Sequence, residues 1–218
     1  MIKEIQVKSK KRVNDHGEVF TSKKEVEAML ELVKQETENI DSKFLEPACG
    51  TGNFLVEILE RKLAVVKKRY AKNQIEYERY SILALMNIYG VELLLDNTQT
   101  CRDRLFGIFT HHYTGLFKKG KTEYLKTAEF IIERNVLCGD ALTLKTSIEQ
   151  KPIVFTEWSF ARGSLIQRRD FIFEELIIKN NSDLFHSKEL SDDDKLVFIP
   201  RPIKEYPLIH FLELAYGN

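Results

Sequence analysis

The chain is expected to adopt an α/β fold built on a doubly wound, mostly parallel sheet, and three observations predict it. Short apolar segments alternate with longer stretches whose apolar residues fall at helical spacing. Three of those segments end in an acid, at Glu46, Glu92 and Asp140. After the first acid comes a glycine-spaced loop that runs straight into a helical pattern, FLEPACGTGNFL, Phe44–Leu55. Parallel sheets of this kind hold ligands beyond the carboxyl ends of their strands, so acids at those ends are candidates for binding.

Taken in order, Thr21 or Ser22 caps a helix with Val26, Met29, Leu30 and Val33 on one side. Lys43–Leu45 reads as a short buried strand, and Phe54, Leu55, Ile58, Leu59, Leu63 and Val66 form the apolar stripe of the helix after the loop. Tyr80–Tyr89 carries a helical turn or two into IYGVELL, the second strand, ending near Glu92. Asn97–Phe106 reads as a helix, and NVLCGDAL supplies a third strand, Asn135–Cys138, that runs into Gly139 and Asp140. PIVFTEWSF is the candidate fourth strand. Beyond it DFIFEELII fits a helix or a strand, LVFI a strand, and PLIHFLELAY either. A length of 218 residues favours one domain: an arm and helix over 1–40, a core over 41–160, and completion of the sheet over 161–218.

Composition narrows the function classes. With 43% hydrophobic and 30% charged residues the chain has the means to build a core, and a formal net charge of zero gives no whole-molecule attraction to nucleic acid. The basic clusters at 8–12, 67–69, 118–121 and 168–169 read first as solvated faces; Tyr113 and Phe117 beside the third give weak support for a nucleic-acid surface. Cys49, Cys101 and Cys138 are odd in number and set in apolar segments, a pattern of reduced buried thiols that implies no metal. The basic start lacks the apolar core of a leader and no apolar run is long enough to span a bilayer, so a cytoplasmic location is expected.

The loop specifies its guest by elimination. Gly50 and Gly52 let a ligand lie against the backbone at a helix amino end. No Lys-Ser/Thr pair follows, which excludes a triphosphate cradle, and Leu55 replaces the third glycine of a dinucleotide loop. Glu46 repels a pyrophosphate and welcomes an ammonium. Glu92 is placed to accept both hydroxyls of a ribose, and Asp140 an exocyclic amine. Ammonium, ribose and adenine amine together describe S-adenosylmethionine.

EPACGTGNF, IYGVELL and NVLCGDAL, preceded by GEVFTSKKEVEAML, resemble in order the cofactor motifs of the N6-adenine-specific DNA methyltransferases of restriction–modification systems, over roughly 17–142. The resemblance implies a Rossmann-like class I methyltransferase fold, S-adenosylmethionine as cofactor and DNA as substrate. It implies that Phe20 and Thr21 touch the methionine end, that Glu46, Ala48, Gly50, Gly52 and Asn53 belong to the loop around it, and that Glu92 holds the ribose and Asp140 with Ala141 the adenine. The family's Asn- or Asp-Pro-Pro-aromatic motif, which accepts hydrogen bonds from the target amine and stacks on the flipped base, has no match here. In its place stand Glu157, as acceptor, and Trp158, as stacking face; a strand end with a half-buried indole is the alternative. No segment is left over to read base edges. The chain is therefore expected to be such an enzyme, or a cofactor-binding subunit working with a partner that supplies the missing motif and target recognition. A non-catalytic cofactor-binding module of an assembly and a methyltransferase for a non-DNA acceptor stay open.

Overall fold

The computed structural model describes residues 7–177, 188–190, 196–198 and 200–217. Helix α1 (Lys10–His16) is capped by Ser9, whose hydroxyl accepts from the Arg12 N–H, and stops at Gly17 in the left-handed region. Helix α2 (Lys23–Glu31) opens on a reciprocal cap: the Ser22 hydroxyl takes the Glu25 N–H while the Glu25 carboxylate takes the Ser22 N–H. Short α3 (Lys34–Thr37) leads into strand β1 (Phe44–Glu46), helix α4 (Asn53–Tyr70), helix α5 (Gln74–Met86) and strand β2 (Ile88–Glu92). Helices α6 (Leu95–Thr114) and α7 (Thr122–Asn135) then bring the chain to β3 (Val136–Asp140) and β4 (Lys145–Thr146). The four strands pair in the order β1-β2-β3-β4, the first three parallel and β4 antiparallel.

β2 is the centre of this sheet and is buried along its whole length. Its glycine sets how closely α4 can lie: a Cβ on Gly90 would stand 2.8 Å from Leu55 Cδ1 and 2.9 Å from Cys49 Sγ. That contact draws the first turn of α4 down onto the sheet. On the helical layer, the fully buried Glu78 takes the Tyr113 hydroxyl at 2.6 Å, the Gln74 amide at 2.9 Å and the Lys121 ammonium at 2.6 Å. Tyr113 is thus a core residue, and one lysine of the 118–121 cluster is an internal partner.

The segment expected as a fourth parallel strand is different. Strands β5 (Val154–Arg162) and β6 (Leu165–Ile172) form an antiparallel hairpin turned by Gly163 at φ +57°, with register Glu157↔Arg169 and Trp158↔Arg168. Helix α8 (Phe173–Ile177), the paired strands β7 (Lys188–Leu190) and β8 (Leu196–Phe198), β9 (Lys204–Glu205), β10 (Ile209–His210) and a 3₁₀ turn (Phe211–Glu213) follow. β9 and β10 both pair with β6, so with β5 they form a second, antiparallel sheet, and none of the described strands after 160 joins the first. The physical reason lies in the connections. A parallel neighbour requires a crossover of a dozen residues or more. Here the chain turns back at once through β4, with Ile153 N–H on Leu144 O at 2.8 Å, and two residues separate β5 from β6. The hairpin is tied to the parallel sheet by Tyr89 Oη, which donates to Thr156 O at 3.0 Å, and to the end of α7 by the Trp158 indole, which donates to Asn135 Oδ1 at 2.8 Å. No described helix is long and apolar enough to cross a membrane.

The turn before β1 hangs on one cation. Lys62 of α4 is fully buried and donates to Asn39 O, Ile40 O and Ser42 O at 2.7, 3.0 and 2.7 Å. Three acceptors need the three donors of an ammonium. Burial pushes its pKa down to about 8, which still leaves it charged at neutral pH. Lys62→Met takes the ammonium from all three carbonyls, leaving Asn39 O only the Ser42 N–H at 3.3 Å, and is expected to cost about 3 kcal/mol in denaturant unfolding; a loss below about 1 kcal/mol would show that water replaces the ammonium.

Candidate functional site

The loop after β1 is shaped by two ladder-like bonds and two left-handed residues. Cys49 N–H donates to Val91 O at 2.9 Å, and Gly52 N–H to Cys49 O at 2.8 Å, with Gly50 at φ +54° and Gly52 at φ +86°. The two glycines differ in what they face. A Cβ on Gly50 would stand 3.3 Å from the Phe20 ring, whereas one on Gly52 would stand 2.5 Å from Cys101 Sγ. Gly52 is therefore required by the packing of α6 against the loop, and the expectation that it opens a path for a ligand is corrected. Cys49 and Cys101 are both buried and free, and each other's presence, with burial, pushes the Cys49 thiol far up.

Above the loop lies a cavity of about 520 Å³, bounded by Gly17–Thr21, the β1 loop, Glu92–Leu94 with Asn97, and Gly139–Leu142. Small-molecule sites commonly fall in the range of about 300–1,000 Å³. Phe20, Thr21, Glu46, Ala48, Gly50, Asn53, Glu92, Asp140 and Ala141 all line it, so the structure brings together every sequence-predicted binding residue except Gly52, which sits behind the wall.

Their chemistry differs from one residue to the next. Glu92 is buried; its Oε2 accepts the Gly50 N–H at 2.9 Å, and its Oε1 accepts the Leu94 N–H at 3.0 Å and the Asn97 amide at 3.2 Å. With two acceptor positions on each oxygen, only Oε2 keeps one for the cavity. The two free positions that a grip on both ribose hydroxyls calls for are thus reduced to one. Asp140 takes the Leu142 N–H on Oδ1 at 2.8 Å and the Thr143 hydroxyl on Oδ2 at 3.1 Å, leaving one position on each oxygen. Glu46 has no ion pair among the described residues; burial pushes its carboxyl up, opposed by the Ala48 N–H. Asn53 is tied to the protein: its amide donates to Thr21 O at 2.8 Å and its Oδ1 accepts from Arg104 at 2.8 Å. It positions the Phe20–Thr21 wall.

A polar strap at the rim was not foreseen. Arg12 of α1 bonds both oxygens of Asp96 at 2.7 and 3.1 Å and pairs with Glu18 at 2.7 Å, while Lys8 reaches Asp96 at 3.0 Å and Asn97 Oδ1 at 2.6 Å. The Arg12 guanidinium holds the Asp96 carboxyl well below the usual range. Asn97 then donates to Glu18 Oε1 at 2.6 Å as well as to Glu92. Two members of the cluster expected as a solvated face are thus fixed to the start of α6. Nothing in the sequence pairs positions more than eighty apart; the only available signal was an acid, Asp96, in the first turn after the second strand.

Glu157 and Trp158 are not brought to this cavity. They line a separate hollow with Asp41, Lys43 and Asn87, residues at the amino ends of β1 and β2, the opposite end of the sheet from the loop. Glu157 pairs with Lys43 at 3.0 Å and Arg169 at 3.7 Å. The Trp158 side chain is 3% exposed, with Phe130 at its edge and Arg168 over its ring. Neither an acceptor for an amine nor a stacking face is offered at the pocket by this pair.

Asn53→Ala removes the one side-chain bond from the loop helix to Thr21. Amide exchange over 17–21 is expected to speed up about tenfold while the interior of α4 is unchanged, the signature of local opening costing about 1 kcal/mol less; unaltered exchange in 17–21 would mean that the strap alone holds the wall.

A family model described as the MmeI DNA-methyltransferase domain matches residues 20–153. The match starts on the cavity wall at Phe20 and ends at Ile153, one residue before β5, so it takes in the parallel sheet with all three strand-end loops. No curated protein and no solved structure matches the chain. The matched span is more than half of the 218 residues and contains every sequence-predicted binding residue, while Gly17–Val19 of the cavity wall precede it: the chain belongs to the MmeI DNA-methyltransferase domain family, a restriction–modification DNA methyltransferase family.

Proposed function

We propose that the chain is the S-adenosylmethionine-binding part of a restriction–modification DNA methyltransferase that acts on the N6 amine of adenine, with the groups that receive the amine supplied from outside these residues. The observation that carries this reading is that Glu46, Glu92 and Asp140 stand at the ends of three adjacent parallel strands around one cavity. The order β1-β2-β3 supports one half of a doubly wound methyltransferase sheet. The residues fit the cofactor: Oε2 of Glu92 keeps an acceptor position for a ribose hydroxyl, Asp140 keeps positions for an amine, and Glu46, with no ion pair among the described residues, suits a cationic amino-acid end. When bound, the cofactor supplies an activated methyl group. The chain's own task is to fix that group's position and keep the pocket wall closed through Asn53 and Phe20. An adenine amine also needs acceptors that draw off its protons, and Glu157, at the other end of the sheet, does not serve there.

Titration calorimetry is expected to show S-adenosylmethionine or S-adenosylhomocysteine binding to the isolated protein. Glu92→Ala and Asp140→Ala should each weaken it by about 1–3 kcal/mol, and Gly50→Val by more, because a branched side chain at φ +54° meets the Phe20 ring. Absence of binding at millimolar cofactor would overturn the reading.

Glu46 adds a pH signature. Its carboxyl is raised in the free protein, and a cationic ligand favours the charged form, so affinity should rise with pH through the raised pKa and level off above it. Glu46→Gln should flatten that rise; an identical profile in the variant would remove Glu46 from the contact. With duplex DNA and labelled cofactor, the protein alone is expected to form no N6-methyladenine above background, and turnover by the isolated chain would show that it holds acceptors of its own.

A further inference from the structure

One face of α6 holds two parts of the pocket at once. Asn97, Cys101 and Arg104 follow one another at helical spacing. Asn97 donates to Glu92, the Cys101 sulfur fills the place a Cβ on Gly52 would need, and Arg104 reaches the residues on either side of that glycine. Its Nη1 donates to Thr51 O at 2.6 Å, to Thr51 Oγ1 at 3.3 Å and to Asn53 Oδ1 at 2.8 Å. The guanidinium is half-buried, burial pushes its pKa down, and no carboxylate among the described residues pairs with it. A cation withdrawn from water without a counter-charge is unfavourable, so this end of the loop lacks an anion.

The bond to Thr51 also directs a proton. A guanidinium only donates, so the Thr51 hydroxyl oxygen accepts from it and the hydroxyl hydrogen points elsewhere. Among the described residues that hydroxyl donates to none, and Thr51 lines the cavity. Glu46, at the start of the same loop, has no ion pair among the described residues. The loop thus carries a carboxylate at one end and, at the other, a donor backed by a cation. An α-amino acid group matches that arrangement, its ammonium toward the acid and its carboxylate toward the donor. Resting on the proposed function, that group is the methionine end of the cofactor. We propose that the Thr51 hydroxyl binds the carboxylate of the ligand's amino-acid end, with Arg104 as the positioning residue that orients the hydroxyl and supplies the counter-charge. Arg104 stands behind the cavity wall, so its effect passes through Thr51. The pocket therefore prefers a ligand with a free carboxylate at that end to one that carries the ammonium alone.

Calorimetry on the full chain tests this with S-adenosylhomocysteine, its decarboxylated analogue, which keeps the ammonium, and methylthioadenosine, which lacks both groups. The wild-type protein is expected to bind S-adenosylhomocysteine about tenfold more tightly than the decarboxylated analogue. Thr51→Val keeps the side-chain shape and removes the hydroxyl; it and Arg104→Met should each weaken S-adenosylhomocysteine about tenfold and leave the other two ligands within about twofold. Thr51→Ser, which returns the hydroxyl, should return the preference. Equal wild-type affinity for S-adenosylhomocysteine and its decarboxylated analogue overturns the proposal, as does a Thr51→Val protein that keeps the preference or loses all three ligands alike. Loss of all three in Arg104→Met overturns its positioning role, and Thr51→Val then decides the contact alone. Wild-type protein that binds methylthioadenosine but shows no preference for the carboxylate keeps the nucleoside pocket and sinks this proposal; binding of none of the three overturns both.

Discussion

The pocket depends on one buried carboxylate. Glu92 is the last residue of the central strand, and its two oxygens take the Gly50 N–H from the β1 loop, the Leu94 N–H from its own loop and the Asn97 amide from α6. A charged group out of water is costly unless its acceptor positions are filled, so each of these three donors is held where it is by the demand of the others. The left-handed glycine loop is thereby fixed in its curve before any ligand arrives. Such preorganisation spares a ligand the cost of ordering its own site.

The same carboxylate connects to the rim. Asn97 joins Glu92 to Glu18, Glu18 joins Arg12, and Arg12 with Lys8 joins Asp96, so the amino-terminal arm reaches the cavity floor through an unbroken polar chain. Its members are unequal. Asp96 is largely in water, where an ion pair contributes little. Glu18 and Asn97 are buried, and their bond positions the segment that carries Phe20. The arm's grip therefore comes from the inner links, and the outer charges chiefly choose its register.

How much of this was legible in the sequence depended on how local each signal was. The three strand ends and the glycine loop were readable because each acid sits beside the turn it serves, within a few residues of an apolar strand. The helix cap at Ser22 was readable for the same reason: its partner is three residues away. The β5–β6 hairpin was misplaced because an apolar strand does not state which sheet it joins; the decisive facts were the early return through β4 and the tight turn at Gly163, both weak as patterns. Trp158 looked like an available face because an indole in an apolar run does not announce its partner Asn135, twenty-three positions back. Gly52 read as a ligand-facing glycine because the sulfur it avoids, Cys101, lies on α6, with α4, α5 and β2 in between. In each case the missing information was tertiary.

The central claim is that the carboxyl end of this sheet is a nucleoside pocket with the ribose at Glu92, the base at Asp140 and the amino-acid end at Glu46. A crystal structure of the protein with S-adenosylhomocysteine tests it most directly. The account predicts one ribose hydroxyl on Oε2 of Glu92, the adenine amine at Asp140 and the ligand's ammonium toward Glu46, with the bonds from Gly50 and Asn97 retained. A ligand lying in the reverse direction, or one bound in the hollow beside Lys43 and Glu157, would contradict it.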